Sequence, residues 1–200
     1  MSKINAYLFD IGNVILGFDF SIAVNKLRDF GITHESPLAH ISEIKERYEA
    51  GEMSDDEFVT LAIEQLGFEG SSEDFIPIWQ EIFAQNDAMI TSIQRIADQG
   101  HPLYLLSNTN GLHMQHILRD FPIFKAFAGG IYSHEAKSMK PDLPMYQQAI
   151  DRFDLKPEET LYIDDLAANI ETGVSLGFQT HRYDHEDHSA FVSLLTAAQV

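Results

Sequence analysis

Two hundred residues with 44% hydrophobic side chains suffice for one sizeable domain, or one domain carrying a smaller inserted partner, and are far too apolar for a disordered chain. Thirteen basic against 31 acidic side chains give a formal charge of -18, which repels phosphate backbones and anionic bilayers; nucleic acid and membrane are therefore not expected partners, and any anion site needs a local cation or metal. With no cysteine, disulfides, thiol nucleophiles and thiolate metal sites are excluded.

In chain order, the first element is the apolar run Ala6-Tyr7-Leu8-Phe9, which ends abruptly in Asp10 and is followed by Ile11-Gly12-Asn13-Val14. Such a run predicts a parallel strand buried on both faces, with Asp10 at the carboxyl end where open α/β sheets place their chemistry. Asp10 interrupts the only early apolar stretch and no small-residue cleavage site follows, so a cytoplasmic chain without signal peptide or membrane span is expected. From Ser21 to about Phe83 the apolar spacing is helical: Ala23/Leu27/Phe30, Ile41/Ile44/Tyr48, Phe58/Leu61/Ala62/Leu66 and Phe75/Ile78/Trp79/Ile82. No strand is expected there. Ser54-Asp55-Asp56-Glu57 forms a capping box, and Gly31, Gly51, Gly67 and Gly70 punctuate the boundaries.

From Ala88 onward strands and helices alternate: a helix around Met89 to Ala97, a strand at 102–106, a helix from Leu112 to Leu118, and a strand near Gly130 to Tyr132. A helix from Met145 to Phe153, a strand at 160–163, a helix at 167–176 and a strand near Thr180 follow. That rhythm is a βαβ sheet. The first strand belongs to it, so the helical zone is an insertion.

Asp10 after the first strand, Ser107-Asn108 after the second, Lys140-Pro141 before a helix and Asp164-Asp165-Leu166-Ala167-Ala168-Asn169-Ile170 after the last resemble, in order, the four motifs of the haloacid dehalogenase-like hydrolases. Each motif alone is weak; four in sequence are strong. Within that superfamily, Phe9-Asp10-Ile11-Gly12-Asn13-Val14, Gly51-Glu52-Met53-Ser54 and Leu106-Ser107-Asn108-Thr109-Asn110 are similar to bacterial phosphatases acting on glucose 1-phosphate and to the phosphatase domain of soluble epoxide hydrolases. The resemblance implies an α/β fold, a Rossmann-like three-layer parallel-sheet core at 1–16 and 85–200 with a helical-bundle cap at 17–84. It implies a magnesium-dependent phosphomonoesterase working on a small phosphorylated metabolite, such as a sugar phosphate, through an aspartyl-phosphate on Asp10.

A carboxylate attacks a phosphate dianion only when a divalent cation offsets their repulsion. Carboxylates at neighbouring strand ends suit magnesium. By resemblance Asp10 and Asp165 ligate it directly, the main-chain carbonyl of Gly12 adds an oxygen, and Asp164 acts directly or through water. Adjacent acids before a helix also serve as N-cap and first-turn charge. Ser107 and Asn108 are expected at a helix start, where hydroxyl and backbone N–H groups hold phosphoryl oxygens; an ordinary helix cap reads the same way. Lys140 is the counter-charge expected beside Asp10 and the phosphoryl group, although most lysines are simply solvated.

The family pattern places an acid two residues after the nucleophile, and here that position is Gly12. Proton transfer is usually worth ~10²- to 10⁴-fold. Three readings stay open: a good leaving group such as an anomeric phosphate, with a steep dependence on leaving-group pKa; a substitute acid, with His113, His134 and Asp19 as candidates; or a weakened protein that only binds phosphorylated ligands. A 2-haloacid dehalogenase is the rival enzyme class, but its members need no metal and typically lack an acidic pair like Asp164-Asp165. His181, His185 and His188 read as an exposed polar connection rather than a metal site, and Trp79 reads as cap core.

Overall fold

A computed structural model describes residues 3–198. Its centre is a five-stranded parallel sheet made of β1 (Ala6–Phe9), β4 (Leu103–Ser107), β5 (Gly129–Tyr132), β6 (Thr160–Asp164) and β7 (Gln179–Arg182), in the order β5-β4-β1-β6-β7. β1 pairs with β4 through Tyr7↔Leu103 and Phe9↔Leu105, and with β6 through Ala6↔Thr160 and Phe9↔Ile163. The chain builds to one side of β1 and then returns to the other, so the crevice beyond the carboxyl ends of β1, β4 and β6 is where this topology opens a binding site.

Period-two alternation explains why the strands are apolar throughout. Tyr7, Phe9, Leu105 and Ile163 pack towards α6 (Asp87–Asp98) and α11 (His188–Ala197), whose Met89, Ile93, Phe191 and Leu195 are buried with them. Leu8, Leu106 and Tyr162 face the opposite layer, where α9 (Leu143–Phe153) contributes Met145, Tyr146 and Ala149, flanked by α10 (Ala167–Ser175). The terminal helix α11 was not expected from sequence; its Phe191 and Leu195, four apart, form the buried stripe. No helix among the described residues is long and apolar enough to cross a membrane.

The second apolar cluster belongs to α1 (Phe20–Arg28), α2 (Pro37–His40), α3 (Ser42–Glu49), α4 (Asp55–Leu66) and α5 (Ser72–Gln80). The capping box opening α4 is present: Ser54 Oγ accepts from Glu57 N–H at 3.3 Å and Glu57 accepts from Ser54 N–H at 2.8 Å. Trp79 is buried there against Phe58, with ring centroids 4.8 Å apart. A ribbon that the sequence does not predict joins this unit to the sheet domain: β2 (Leu16–Phe18) pairs antiparallel with β3 (Phe83–Gln85). The helical spacing extends to Ile82, whereas α5 ends at Gln80 and Ile82 is buried outside it.

The helical unit is latched to α7 (Gly111–Asp120) of the core. Leu112 sits in the apolar cluster of the cap, its N–H donates to Tyr48 Oη at 3.0 Å, and its carbonyl accepts from Gln80 at 2.8 Å. Asp55 at the start of α4 accepts from Tyr48 and from Gln115, the latter at 2.7 Å. A Cβ at Gly111 would overlap the Asp55 carboxylate, so a glycine permits this close approach.

Candidate active site

Asp10 leaves β1 with its N–H still bonded to the Ile163 carbonyl at 2.9 Å, so the sheet ladder fixes its backbone. Its Oδ1 accepts from Ile11 N–H at 2.7 Å and lies 2.8 Å from Lys140 Nζ. The same ammonium lies 2.7 Å from Asp164 Oδ2, and the Lys140 side chain is only 1% exposed. Burial pushes the Asp10 carboxyl up to about 6, with Lys140 opposing that rise and Asp164 adding to it. Lys140 is thus no solvated surface lysine.

Asp164 is fully buried and saturated with donors. Oδ2 accepts from Tyr162 Oη at 2.6 Å as well as from Lys140, and Oδ1 accepts from Leu166 N–H and Asn169 Nδ2, both at 2.9 Å. Its carboxylate positions Lys140 and the following turn. Asp165 is half-buried, with Oδ2 accepting from Asn13 Nδ2 at 3.2 Å, and burial raises its carboxyl above the usual range. Asn13 itself sits at φ 53°, the left-handed conformation that asparagine tolerates better than most residues.

Asp10, Asp164 and Asp165 offer oxygens within 4.8 Å of one another. Three carboxylates against the one Lys140 ammonium leave two negative charges in a largely buried spot, an all-oxygen donor set that fits a hard divalent cation. Asp10 and Asp165 would hold it, because Asp164 already carries its full set of donors. Gly12 bridges to Leu16 through the Ile11 carbonyl and the Asn13 N–H, at 2.9 and 2.7 Å, so the bridge does not use the Gly12 carbonyl.

Ser107 is buried at the end of β4 beside a cavity of about 190 Å³. Asn108 lines that cavity, but its side chain is committed: Nδ2 donates to the Lys140 carbonyl at 2.9 Å and Oδ1 accepts from Lys140 N–H at 2.8 Å. Asn108 therefore anchors the backbone of the lysine. Contrary to what the sequence leads one to expect, Ser107 and Asn108 do not themselves open the next helix. α7 begins only at Gly111; its first turn is capped by Asn110, which accepts from His113 N–H at 3.0 Å, and by the Tyr48 hydroxyl. Those donors are already satisfied, and Thr109 N–H is bonded to Ser133 Oγ at 2.9 Å.

The candidate substitute acids are accounted for elsewhere. His113 lines the cavity, but Nε2–H donates to the Trp79 carbonyl and Nδ1 accepts from Asn110, both at 3.0 Å. Burial pushes its pKa down to about 3, so the ring stays neutral. Asp19 is the N-cap of α1, held below its ordinary value by Ser21. His134 Nδ1 donates to the Thr109 carbonyl at 3.1 Å and does not line the cavity. Of the C-terminal histidines only His185 is exposed. His188 opens α11, with Ser92 and Tyr183 hydroxyls each 3.0 Å from its ring nitrogens, while half-buried His181 lies in β7.

Neutral His113 has a measurable consequence. The unfolded chain takes up a proton below about 6.5 and the folded one only near 3, so the contribution is complete above 6.5 and is lost as pH falls. Between those values stability is expected to drop by about 1.4 kcal/mol per pH unit from this residue. Chemical denaturation from pH 7 to 4 checks it: His113→Gln should show a shallower loss than the wild type, and an unchanged slope would refute the assignment.

The profile of the haloacid dehalogenase-like hydrolases matches residues 4–177. The chain is similar to a D-ribitol-5-phosphate phosphatase of Bacteroides thetaiotaomicron, 28% identical over 184 residues, covering 86% of this chain and 88% of that protein. It is also similar to a sesquiterpene phosphatase of Aspergillus oryzae, 25% identical, with 86% of each chain covered. In fold it matches a haloacid dehalogenase family enzyme of Bacteroides thetaiotaomicron solved with magnesium and inorganic phosphate, with TM-score 0.82 and 22% identity over 91% of this chain and 95% of that one. With the Asp10, Lys140 and Asp164-Asp165 motifs at the ends of one parallel sheet, the protein belongs to the haloacid dehalogenase-like hydrolase family.

Proposed function

We propose that the protein is a magnesium-dependent phosphomonoesterase acting on a small phosphorylated sugar or polyol. The observation that carries this reading is the buried Asp10–Lys140–Asp164 array with Asp165 beside it, bonded to Ile11 and Asn108, which line a cavity together with Phe20, Lys45 and Glu49 of the cap. Asp10 is the nucleophile: its free oxygen bonds to phosphorus as the ester bond breaks, giving an aspartyl-phosphate that water then hydrolyses. Lys140 fixes the carboxylate in attacking position and balances charge on the phosphoryl group, and Ser107 supplies a hydroxyl to a phosphoryl oxygen. Asp10 and Asp165 would hold magnesium, which would supply the positive charge that lets carboxylate and phosphate dianion approach.

The two phosphatase relatives, acting on ribitol 5-phosphate and on a sesquiterpene phosphate by their names, support the reaction class and differ in alcohol. The cavity walls here are mixed, with Phe18, Phe20 and Phe83 alongside Lys45, Glu49 and Ser107, which suits a polyhydroxylated chain that offers both C–H faces and hydroxyls. A panel including glucose 1-phosphate, ribitol 5-phosphate and phosphopeptides, assayed with magnesium and with excess chelator, tests the reading. Turnover of sugar or polyol phosphates is expected only with magnesium, and phosphopeptides should be poor because the cavity is small. Halide release from 2-haloacids undiminished by chelator would instead establish the dehalogenase.

A further inference from the structure

Position 12 holds no acid, and a Cβ there would lie 3.1 Å from the Phe18 ring, which would have to give by a few tenths of an ångström to admit a side chain. A proton for the leaving oxygen must therefore come from another wall of the cavity. Three of the lining residues carry a titratable group, His113, Lys45 and Glu49, and both ring nitrogens of His113 are already committed. Lys45 and Glu49 stand one turn apart on α3, with Nζ and Oε 2.9 Å from each other. A pair at this spacing is usually a solvated decoration worth a few tenths of a kcal/mol. This one faces inward: its side chains are 30% and 14% exposed, and both line the cavity that Gly12, Ser107 and Asn108 also line. The ammonium also lies 5.9 Å from the centre of the Phe20 ring, whose face steadies a cation there.

We propose that Lys45, oriented by Glu49, is the proton donor and acceptor of this enzyme; the inference rests on the phosphomonoesterase reading. As the Asp10 oxygen bonds to phosphorus and the ester bond breaks, its electron pair stays on the leaving oxygen, which takes a proton from the Lys45 ammonium and departs as an alcohol. The neutral amine then accepts a proton from the water that attacks the aspartyl-phosphate, and the breaking acyl–phosphate bond returns its electron pair to Asp10. The sum is ester plus water giving alcohol plus phosphate, with Lys45 recharged. One cap residue thus acts as acid and then as base, and glycine at position 12 costs the enzyme neither role.

Single-turnover phosphoenzyme formation on a series of phosphomonoesters of graded leaving-group pKa tests this in the wild type, Lys45→Met and Lys45→Arg. The wild type should show a shallow dependence. In Lys45→Met the loss should grow with leaving-group pKa, from a few-fold on aryl phosphates to ~10²- to 10⁴-fold on alkyl phosphates. Lys45→Arg keeps the charge but does not give up its proton, so KM should be retained while kcat on alkyl esters stays low. An equal loss on every ester, a steep slope already present in the wild type, or full rescue by arginine would overturn the proposal. A wild type that hydrolyses no phosphomonoester would instead remove the phosphatase reading beneath it.

Discussion

Asp10→Asn is expected to abolish turnover, by on the order of 10⁴-fold or more, without unfolding the protein. Asparagine matches the shape of the carboxylate and can still accept from Ile11 N–H and Lys140, but the amide is no nucleophile and forms no acyl phosphate. Lys140 keeps its partner Asp164 at 2.7 Å, so no buried cation is stranded. Burial already pushes the Asp10 carboxyl up to about 6, which means that holding its charge in the folded state costs stability above that pH. A neutral amide should therefore leave the thermal midpoint at neutral pH unchanged or higher. Steady-state kinetics beside a thermal melt checks both halves, and wild-type activity in this variant would sink the mechanism.

Lys140→Met should be the most damaging change to stability. Methionine keeps an unbranched apolar side chain of similar length but has no ammonium, leaving Asp10 and Asp164 facing each other with no cation between them. Removing one partner of a buried ionic array costs about 3–5 kcal/mol. At roughly 2–4 °C per kcal/mol for a chain of this size, the metal-free melting point should fall by about 6–20 °C. The sign with pH is fixed by the raised Asp10 carboxyl: the deficit is greatest well above 6 and shrinks as acid neutralises the stranded charge. Magnesium should restore part of it. A melt insensitive to the substitution in the metal-free protein would show that the array contributes nothing to the fold.

The residues legible in the sequence are those whose chemistry is local or repeated. A strand buried on both faces must be apolar along its whole length, so a run such as Ala6 to Phe9 ending in Asp10 marks the centre of the sheet and its functional end together. The Ser54 capping box closes within four residues and was legible for the same reason. The ribbon of β2 and β3 was not, because three-residue strands such as Leu16-Gly17-Phe18 are too short for alternation to show, and their pairing is settled by distant sequence. Asn108 offers the same amide to a phosphoryl oxygen or to the Lys140 backbone, and only geometry decides between them. Lys45 and Glu49 read as any helical ion pair until the cavity beside them is seen. α11 is not legible because its two buried residues follow a polar stretch, Asp184 to His188, that resembles a loop.

The latch between the helical unit and α7 limits how interchangeable the parts of this enzyme are. Gln80, Trp79, Tyr48 and Asp55 reach across to Leu112, His113 and Gln115, residues that lie far along the chain on the core side. Grafting the segment from α1 to α5 onto another core would cut every one of these bonds and bare the apolar seat of Leu112. A chimera designed to move substrate preference must carry the first turn of α7 with it, and natural variation in that turn should track variation in the cap.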